Sequence, residues 1–182
     1  MMELERTSSE TEFEGLDAFV TNTEPRHLDE ILRIESHSDN RDFVGQWSKD
    51  EHLDAISSDG HVHWVILDAV TRSVLGYVIH CDVKAENRSL WFRRIAIDSK
   101  GRGLGRAVAL LSLRYCFESL KFHRIWLNVR DDNDSAFKMY KQLGFVEEGI
   151  SRDVVRLLDD TFRSYVVMSM LEDEYFERYP PN

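Results

Sequence analysis

Apolar residues recur every three to four positions over residues 25–35, a pattern that predicts an amphipathic helix. Pro25 stands in its first turn, where a missing N–H does no harm. Ser48 is followed three residues later by Glu51, a capping box that predicts the start of a second, short helix. Gly60 predicts the end of that helix, so the first third of the chain is expected to be mainly helical.

The pattern changes to that of β-strands after residue 60. His61–Ala69, Ser73–Val83 and Ser89–Ile97 are rich in Val, Ile, Trp and Tyr, and short polar turns separate them. Three successive antiparallel strands are therefore expected. A glycine-rich loop, residues 100–105, follows the third strand, and helical spacing returns behind it over residues 104–117.

The remainder of the chain alternates between strand and helix patterns. Arg124–Val129 predicts a strand, and residues 134–143 predict a helix that ends at Gly144. Two more strands, Phe145–Ile150 and Phe162–Met170, are expected before a short acidic helix. The predicted fold class is α/β (α+β): a single domain with a mixed, mostly antiparallel sheet of six to seven strands flanked by helices.

Length and composition are those of one globular domain. The 182 residues are 42% hydrophobic and 31% charged, and we expect a polar segment over residues 1–15 that is loosely attached to a domain of residues 16–182. The absence of a long apolar run and the acidic N-terminus predict a cytoplasmic location. Cys81 and Cys116 form no CxxC pair, so we expect two buried thiols and neither a disulfide framework nor a cysteine-rich zinc site.

The net charge of −10 argues against a general binder of nucleic acid or of anionic membranes. It is compatible with a cationic substrate, and equally with acidity that serves only solubility. Against this background, residues 93–106 carry Arg93, Arg94, Lys100, Arg102 and Arg106 with Asp98 as the only acid. Such a basic island around the glycine loop predicts an anionic ligand.

The glycine loop has the general form of a phosphate site. A strand that turns directly into a helix presents free backbone N–H groups and the positive end of the helix dipole. A P-loop requires Lys followed by Ser or Thr after its last glycine, and none follows Gly105. The dinucleotide pattern GxGxxG also fails, because its last position falls on Arg106 or Val108. A turn without a ligand is the alternative at this stage.

Two spaced motifs resemble those of the GNAT superfamily of N-acetyltransferases. Lys100-Gly101-Arg102-Gly103-Leu104-Gly105 is similar to its acyl-CoA pyrophosphate loop, and residues 133–140, followed by Gly144-Phe145, resemble its Asn-x-x-Ala-x-x-x-Tyr helix and Gly-Phe turn. The resemblance covers roughly residues 60–170 and implies a sheet that splays where acyl-CoA enters. Further residues are similar to the ribosomal-protein N-terminal and spermidine acetyltransferase branch: Gly149, Arg152, Arg163 and Met168–Leu171.

The resemblance implies a role for each matching position. Backbone N–H groups of Arg102–Arg106 would hold the pyrophosphate, with Lys100 in place of the usual Arg or Gln. Residues 95–97 would lie along the pantetheine arm, Asn128 would contact the cofactor or an ordered water, and Asn133 would cap its helix or contact pantetheine. The cofactor-binding residues implied in this way are Ile95, Ala96, Ile97, Lys100, Gly101, Arg102, Gly103, Leu104, Gly105, Arg106, Asn128, Asn133, Ala136 and Tyr140.

The chemistry needs an acid for the departing thiolate and a proton acceptor for the amine. Tyr140 matches the position of the superfamily's general acid. The strand glutamate that many relatives use as a base is absent, because Trp91 stands near its position. The remaining candidates for the base are His80, Asp82, Glu86, Glu35 and His37, or a chain of waters.

Histidine spacing and tryptophan content add little to this assignment. His61 and His63 lie on one face of a strand, but no third ligand stands nearby, so we expect no metal. Trp47, Trp64 and Trp91 are expected in the core or in a pocket wall.

The resemblance implies an acetyl-CoA-dependent N-acetyltransferase that acts on a primary amine by direct attack in a ternary complex. Its partners would be acetyl-CoA and a small-molecule or peptide amine, with no nucleic acid and no membrane. The oligomeric state is left open, with a homodimer paired through the sheet edge or the last strand as one possibility. Acceptor specificity would lie near residues 25–58 and 151–161. The alternatives are a catalytically silent acyl-CoA-binding module and, from a third class, a nucleotide-binding regulator.

Overall fold

The computed structural model describes residues 10–181 apart from residues 14, 99 and 158. In this part of the chain, eight strands join one sheet, and five α-helices lie along the sequence between and after them. The strands are β1 Thr11–Glu12, β2 Ala18–Asn22, β3 His61–Asp68, β4 Val74–Cys81, β5 Ser89–Ile97, β6 Arg124–Arg130, β7 Val146–Arg156 and β8 Phe162–Leu171. The helices are α1 Leu28–Ser36, α2 Lys49–Ser57, α3 Leu104–Arg114, α4 Asp134–Leu143 and α5 Glu172–Arg178.

The predicted elements are present, with differences at three places. The structure has eight strands because β1 and β2, which the apolar pattern did not reveal, extend one edge of the sheet. β7 continues to Arg156, so residues 151–156, expected in an acceptor loop, belong to a strand. A π-helical turn, Tyr115–Ser119, continues α3. The capping box of Ser48 with Glu51 is confirmed, and Gly144 ends α4 in the left-handed region with φ 103°.

The predicted start of the domain at residue 16 is too late, because described residues before it already belong to the domain. Thr11 and Glu12 pair with β2, and Phe13 is buried in the core, so this stretch is part of the domain. Residues 1–9 of the expected polar segment lie outside the described residues. Burial of one aromatic side chain is enough to anchor such a short stretch, because a buried Phe contributes about 1.5–3 kcal/mol.

Sheet order is β1-β2-β3-β4-β5-β6-β8-β7, and every pair except β5 with β6 is antiparallel. α3 makes the crossover that the parallel pair needs. β5 and β6 pair only from Ser89 with Arg124 to Trp91 with Trp126, although β5 runs on to Ile97 and β6 to Arg130. The two strands therefore separate beyond Trp91, which confirms the expected splay of the sheet.

Apolar layers cover both faces of the sheet. One layer contains α3, α5 and the inward side of β6, with Leu113, Phe117 and Ile125 fully buried. The opposite layer packs α1 and α2 on β3 and β4 around Tyr77. Cys81 and Cys116 are buried free thiols, as expected. Among the described residues, no helix has both the length and the apolar character needed to cross a membrane.

Candidate active site

A cleft of about 720 Å³ opens where β5 and β6 separate. Its walls are the second half of β5, the glycine loop with the start of α3, the end of β6, and the first turns of α4. Phe43 and Val44, from the segment between α1 and α2, close one side. Because the diverging strands leave backbone groups unpaired, the cleft offers an edge along which an extended ligand can form strand-like hydrogen bonds.

The glycine loop at one end of the cleft has the backbone geometry of an anion site. Gly101 and Gly103 have φ of 86° and 77°, values that side chains strongly disfavour, and Gly103 is the N-cap of α3. The first hydrogen bond of that helix runs from Ala107 N to the Gly103 carbonyl. The N–H groups of residues 104–106 therefore have no intrahelical acceptor, and they lie at the positive end of the helix dipole.

Almost all the expected cofactor residues line this cleft. The members that do so are Ile95, Ile97, Lys100, Gly101, Arg102, Gly103, Leu104, Gly105, Arg106, Asn128, Asn133, Ala136 and Tyr140. Ala96 is the exception, because its side chain packs in the layer under α1 and α2. A strand alternates its side chains, so Ala96 can reach the cleft only through its main chain.

Lys100 is engaged by the protein itself. Its ammonium group donates to the Asp39 carbonyl and lies 5.8 Å from the centre of the Phe43 ring. In this arrangement Lys100 ties the loop to the segment between α1 and α2. The positive charges of Arg102 and Arg106 have no carboxylate within ion-pair distance in the described part of the chain.

Tyr140 lies on α4 with only 6% of its surface exposed. Its ring meets those of Phe92 and Phe145 edge to face, at 6.1 and 5.5 Å between centres. Its hydroxyl makes no hydrogen bond to any described residue, and burial raises its pKa well above the usual value. The group is therefore protonated at neutral pH, with its proton free to donate into the cleft.

Two amide side chains and an indole complete the polar lining. Asn133 accepts from Ala136 N at 3.2 Å, so the cap role is observed, and it lines the cleft as well. The Oδ1 atom of Asn128 and the Nε1 atom of Trp91 are buried and have no hydrogen-bond partner in the part of the chain that the structure describes. Buried polar atoms usually have partners, so these atoms fit a site completed by a ligand or water.

None of the five side chains considered as the base lines the cleft. His80 is fully buried among Trp64, Phe92 and Tyr115, and burial lowers its pKa to about 3. His37, Asp82 and Glu86 are exposed elsewhere on the surface. Among the described lining residues there is no aspartate, glutamate or histidine.

Glu35, the remaining candidate, is the centre of a buried polar network under the cleft. Its carboxylate accepts hydrogen bonds from Arg94 at 2.7 Å, from the Tyr77 hydroxyl and from Trp47 N, and His52 Nε2 lies 3.2 Å away. Burial by itself raises the pKa of Glu35, but the contacts from His52 and Tyr77 and the charge of Arg94 bring it below the usual value. Glu35 is thus an ionised partner of Arg94.

The network continues from His52 to His63 and Thr23, at 2.9 Å for each step. His63 is therefore structural, and His61 contacts Ser58 instead of forming a shared site. Burial lowers the pKa of His63 to about 3. The described residues include no cluster of three His, Cys, Asp or Glu side chains able to hold a metal ion.

Sequence reasoning missed this network, since its members are far apart in the chain. The sequence offered two separate signals: the arginine pair Arg93-Arg94 in a predicted strand, and Glu35 at helical spacing in the predicted first helix.

Comparison with known proteins gives a family match over most of the chain. A family model described as acetyltransferase (GNAT) family matches residues 28–145. This range contains the glycine loop, α4 with Tyr140 and the diverging strands.

Relatives of known name cover nearly the whole chain. The spermidine N(1)-acetyltransferase of Vibrio cholerae is 27% identical over 156 residues, which are 80% of this chain and 89% of that protein. The probable N-acetyltransferase YjcK of Bacillus subtilis is 24% identical, over 88% of this chain and 97% of its own. A solved structure of a spermidine N-acetyltransferase point mutant from V. cholerae superimposes with a TM-score of 0.76 at 26% identity, covering 90% of this chain and 98% of the other.

Proposed function

Because the chain belongs to the acetyltransferase (GNAT) family and is an acetyl-CoA-dependent N-acetyltransferase, we propose that the cleft between β5 and β6 is its active site. Acetyl-CoA lies with its pyrophosphate on the N–H groups of residues 104–106 and its pantetheine arm along residues 95–97. The observation that carries this assignment is the glycine loop at the N-terminus of α3, opening directly into the gap between the diverging strands.

The primary amine attacks the thioester directly in a ternary complex, with Tyr140 donating its proton to the departing thiolate. The buried hydroxyl supports this role because it is protonated at neutral pH and has no described partner to compete for the proton. With no acidic or histidine side chain among the described lining residues, we propose that the amine loses its proton to solvent in the open cleft before it attacks. Alkylamines have a pKa near 10.4, so activity should rise with pH across the neutral range.

The test is acetylation by the Tyr140→Phe variant, with Tyr115→Phe as a matched control. Tyr115 is also a largely buried tyrosine, and it lies outside the cleft against Trp64. Tyr140→Phe should lower kcat at least tenfold with little change in acetyl-CoA affinity, since general-acid catalysis contributes about 10²–10⁴-fold. An unchanged kcat would show that the acid lies elsewhere.

Cofactor binding is measured separately by thermal unfolding of both variants and wild type. Acetyl-CoA at one hundred times its Kd adds about 2.7 kcal/mol, which corresponds to a rise of about 5–10 °C for a domain of this size. ATP and NAD serve as controls. Stabilisation by these nucleotides to the same extent would favour the nucleotide-binding class, and an acetyl-CoA effect without thiol release from any amine would favour the silent binding module.

We also propose that the protein self-associates through β7, the edge strand next to β8. Val146, Ile150 and Val154 on this strand are 46%, 58% and 54% exposed, which is unusual for three apolar side chains on an unpaired edge. A cytoplasmic location is proposed as well, since two free buried thiols fit a reducing compartment.

The relatives named as spermidine acetyltransferases make polyamines the first acceptors to test.

A further inference from the structure

The charges that face the cleft are all positive. Arg93, Arg94 and Arg130 line it together with the basic residues of the glycine loop, and no described lining side chain carries a negative charge. A polyamine would have to place further ammonium groups beside these guanidinium groups. Like charges at close range in a partly enclosed cleft repel each other.

The arginines on this side of the sheet differ in whether a carboxylate pairs with them. Arg94 pairs with Glu35 at 2.7 Å, Arg130 with Asp132, and Arg124 with Glu148 at 2.7 Å. The carboxylates balance these three charges, so repulsion of a cationic substrate comes mainly from Arg93 and from the unpaired arginines of the glycine loop. Arg93, by contrast, has no carboxylate within ion-pair distance among residues 10–181 as described.

Arg93 is held in place without being neutralised. Its guanidinium carbon lies 4.5 Å from the centre of the Trp91 ring and 5.0 Å from that of Trp47. Its Nε atom is buried and has no hydrogen-bond partner among the described residues, and the guanidinium also contacts the thiol of Cys81, a weak acceptor. A guanidinium stacked on two indoles retains its planar set of donors for an oxyanion.

The strand geometry directs this side chain. β4 and β5 change register between the pairs Ile79 with Arg94 and His80 with Phe92, so Arg93 is the extra residue of a β-bulge. Bulges redirect a side chain and recur beside active sites. Phe92, the residue before the bulge, packs its ring against Tyr140, so the β5 backbone next to Arg93 lies close to the tyrosine proposed as the acid, and Arg93 lines the same cleft.

The phosphates of the cofactor are too far away to be the partner of Arg93. Arg93 and Ile97, where β5 ends before the glycine loop, are four residue steps apart in extended strand, a distance of about 13 Å. The pyrophosphate cradle lies beyond that point. The anion expected at Arg93 therefore belongs to the other substrate.

We propose that the acetyl acceptor is a primary amine that carries an oxyanion, a carboxylate or a phosphate, and that Arg93 binds this oxyanion. The inference rests on the proposed function, because it assigns the acceptor of the same site. Trp91 and Trp47 hold the guanidinium, and the amine of the acceptor then lies between Arg93 and the thioester.

The test is acetylation of matched amines by the wild-type protein, with thiol release as the readout. The carboxylate arm compares amino acids and dipeptides with their C-terminal amides, the phosphate arm compares O-phosphoethanolamine with ethanolamine, and the polyamine arm uses spermidine and spermine. We expect kcat/KM to be at least tenfold higher for the anionic member of one pair, and the pair that responds identifies the oxyanion. The proposal is overturned if polyamines or the uncharged members are the better acceptors, or if no anionic amine is acetylated.

The Arg93→Gln variant then tests the residue. KM for the anionic amine should rise about tenfold or more, while KM for its uncharged partner changes less than threefold. Arg93→Lys keeps the charge without the planar fork and should recover part of the loss. Arg26→Gln, on the exposed surface away from the cleft, is the control. An equal rise of KM for both members of the pair would show a purely structural role for Arg93 and overturn the assignment.

A thermal-shift measurement separates this proposal from the one it rests on. If acetyl-CoA stabilises Arg93→Gln as much as the wild type, the fold and the cofactor site are intact and a change in KM belongs to the acceptor. If acetyl-CoA does not stabilise the wild-type protein, the proposed function fails. If acetyl-CoA stabilises it and polyamines alone are acetylated, only the inference about Arg93 fails.

Discussion

His80 makes a sharp prediction about how stability depends on pH. The imidazole is fully buried in an aromatic cage, neither ring nitrogen has a hydrogen-bond partner among the described residues, and burial lowers its pKa to about 3. In the unfolded chain a histidine titrates near 6.5. A folded pKa below the unfolded one gives stability that is fully present above pH 6.5 and is lost as the pH falls toward 3.

The size of the effect follows from the proton that only the unfolded chain binds. Between pH 7.5 and 5.5 the unfolded state gains about 1.4 kcal/mol from protonation of this one residue, since the folded imidazole stays neutral over that interval. His63 has a pKa of about 3 as well, so it adds a loss of the same direction and similar size. Together the two histidines should make the protein about 3 kcal/mol less stable at pH 5.5 than at pH 7.5.

The perturbation is His80→Leu, which replaces two unpartnered polar atoms with an apolar side chain of similar volume. At pH 7.5 the variant should be as stable as the wild type or more stable, because no hydrogen bond is removed. On acidification to pH 5.5 the free energy of unfolding of the variant should fall by about 1.4 kcal/mol less than that of the wild type. The loss that His63 causes should remain in both proteins.

Urea unfolding at the two pH values is the assay. With an m-value of about 2 kcal/mol/M, the urea midpoint of the wild type should fall by about 0.7 M more than that of His80→Leu when the pH is lowered from 7.5 to 5.5. His123→Gln, an exposed histidine beside Glu172, controls for the loss of an imidazole as such. The reasoning is refuted if His80→Leu and the wild type lose equal stability on acidification, or if NMR titration of the His80 ring gives a pKa near 6.5.

Two further predictions concern the buried network and the sheet edge. Glu35→Leu should lower the free energy of unfolding by about 3–5 kcal/mol, because Arg94 would be left buried without its carboxylate. Glu30→Leu, on the exposed face of the same helix, is the control and should change it by less than about 1 kcal/mol. If denaturant unfolding shows similar losses for the two variants, the ionised pairing of Glu35 with Arg94 is contradicted. Ile150→Lys should shift the protein toward monomer in analytical ultracentrifugation, and a wild-type chain that sediments as a monomer throughout the micromolar range would rule out association through β7.

Local features of the fold were predictable because they depend on neighbours in the chain. Ser48 and Glu51 form their capping box within one helical turn, and Gly144 ends α4 by adopting a conformation that only its own residue type tolerates easily. β1 and β2 were missed for the opposite reason. They are short, and their strand character comes from pairing, of β1 with β2 and of β2 with β3, and not from an alternating pattern of their own.

The position of the glycine loop between a strand and a helix could be predicted from the sequence alone, and so could the proposed roles of this loop and of the tyrosine of α4. Each rests on a contiguous motif, and the physical requirement for holding a pyrophosphate is met by backbone groups of consecutive residues. The family match and the cleft support this assignment.

Only the tertiary structure distinguished Arg93 from Arg94. In the sequence they are adjacent and identical, and both belong to the same basic island. The fold brings Glu35, 59 positions from Arg94 in the chain, against one of them, and a bulge in β5 turns the other toward the cleft without a carboxylate. Pairing and burial depend on groups that are distant along the chain, so the charge that is neutralised and the charge that remains free to bind are decided by packing, whereas helix caps and glycine turns are decided by local sequence.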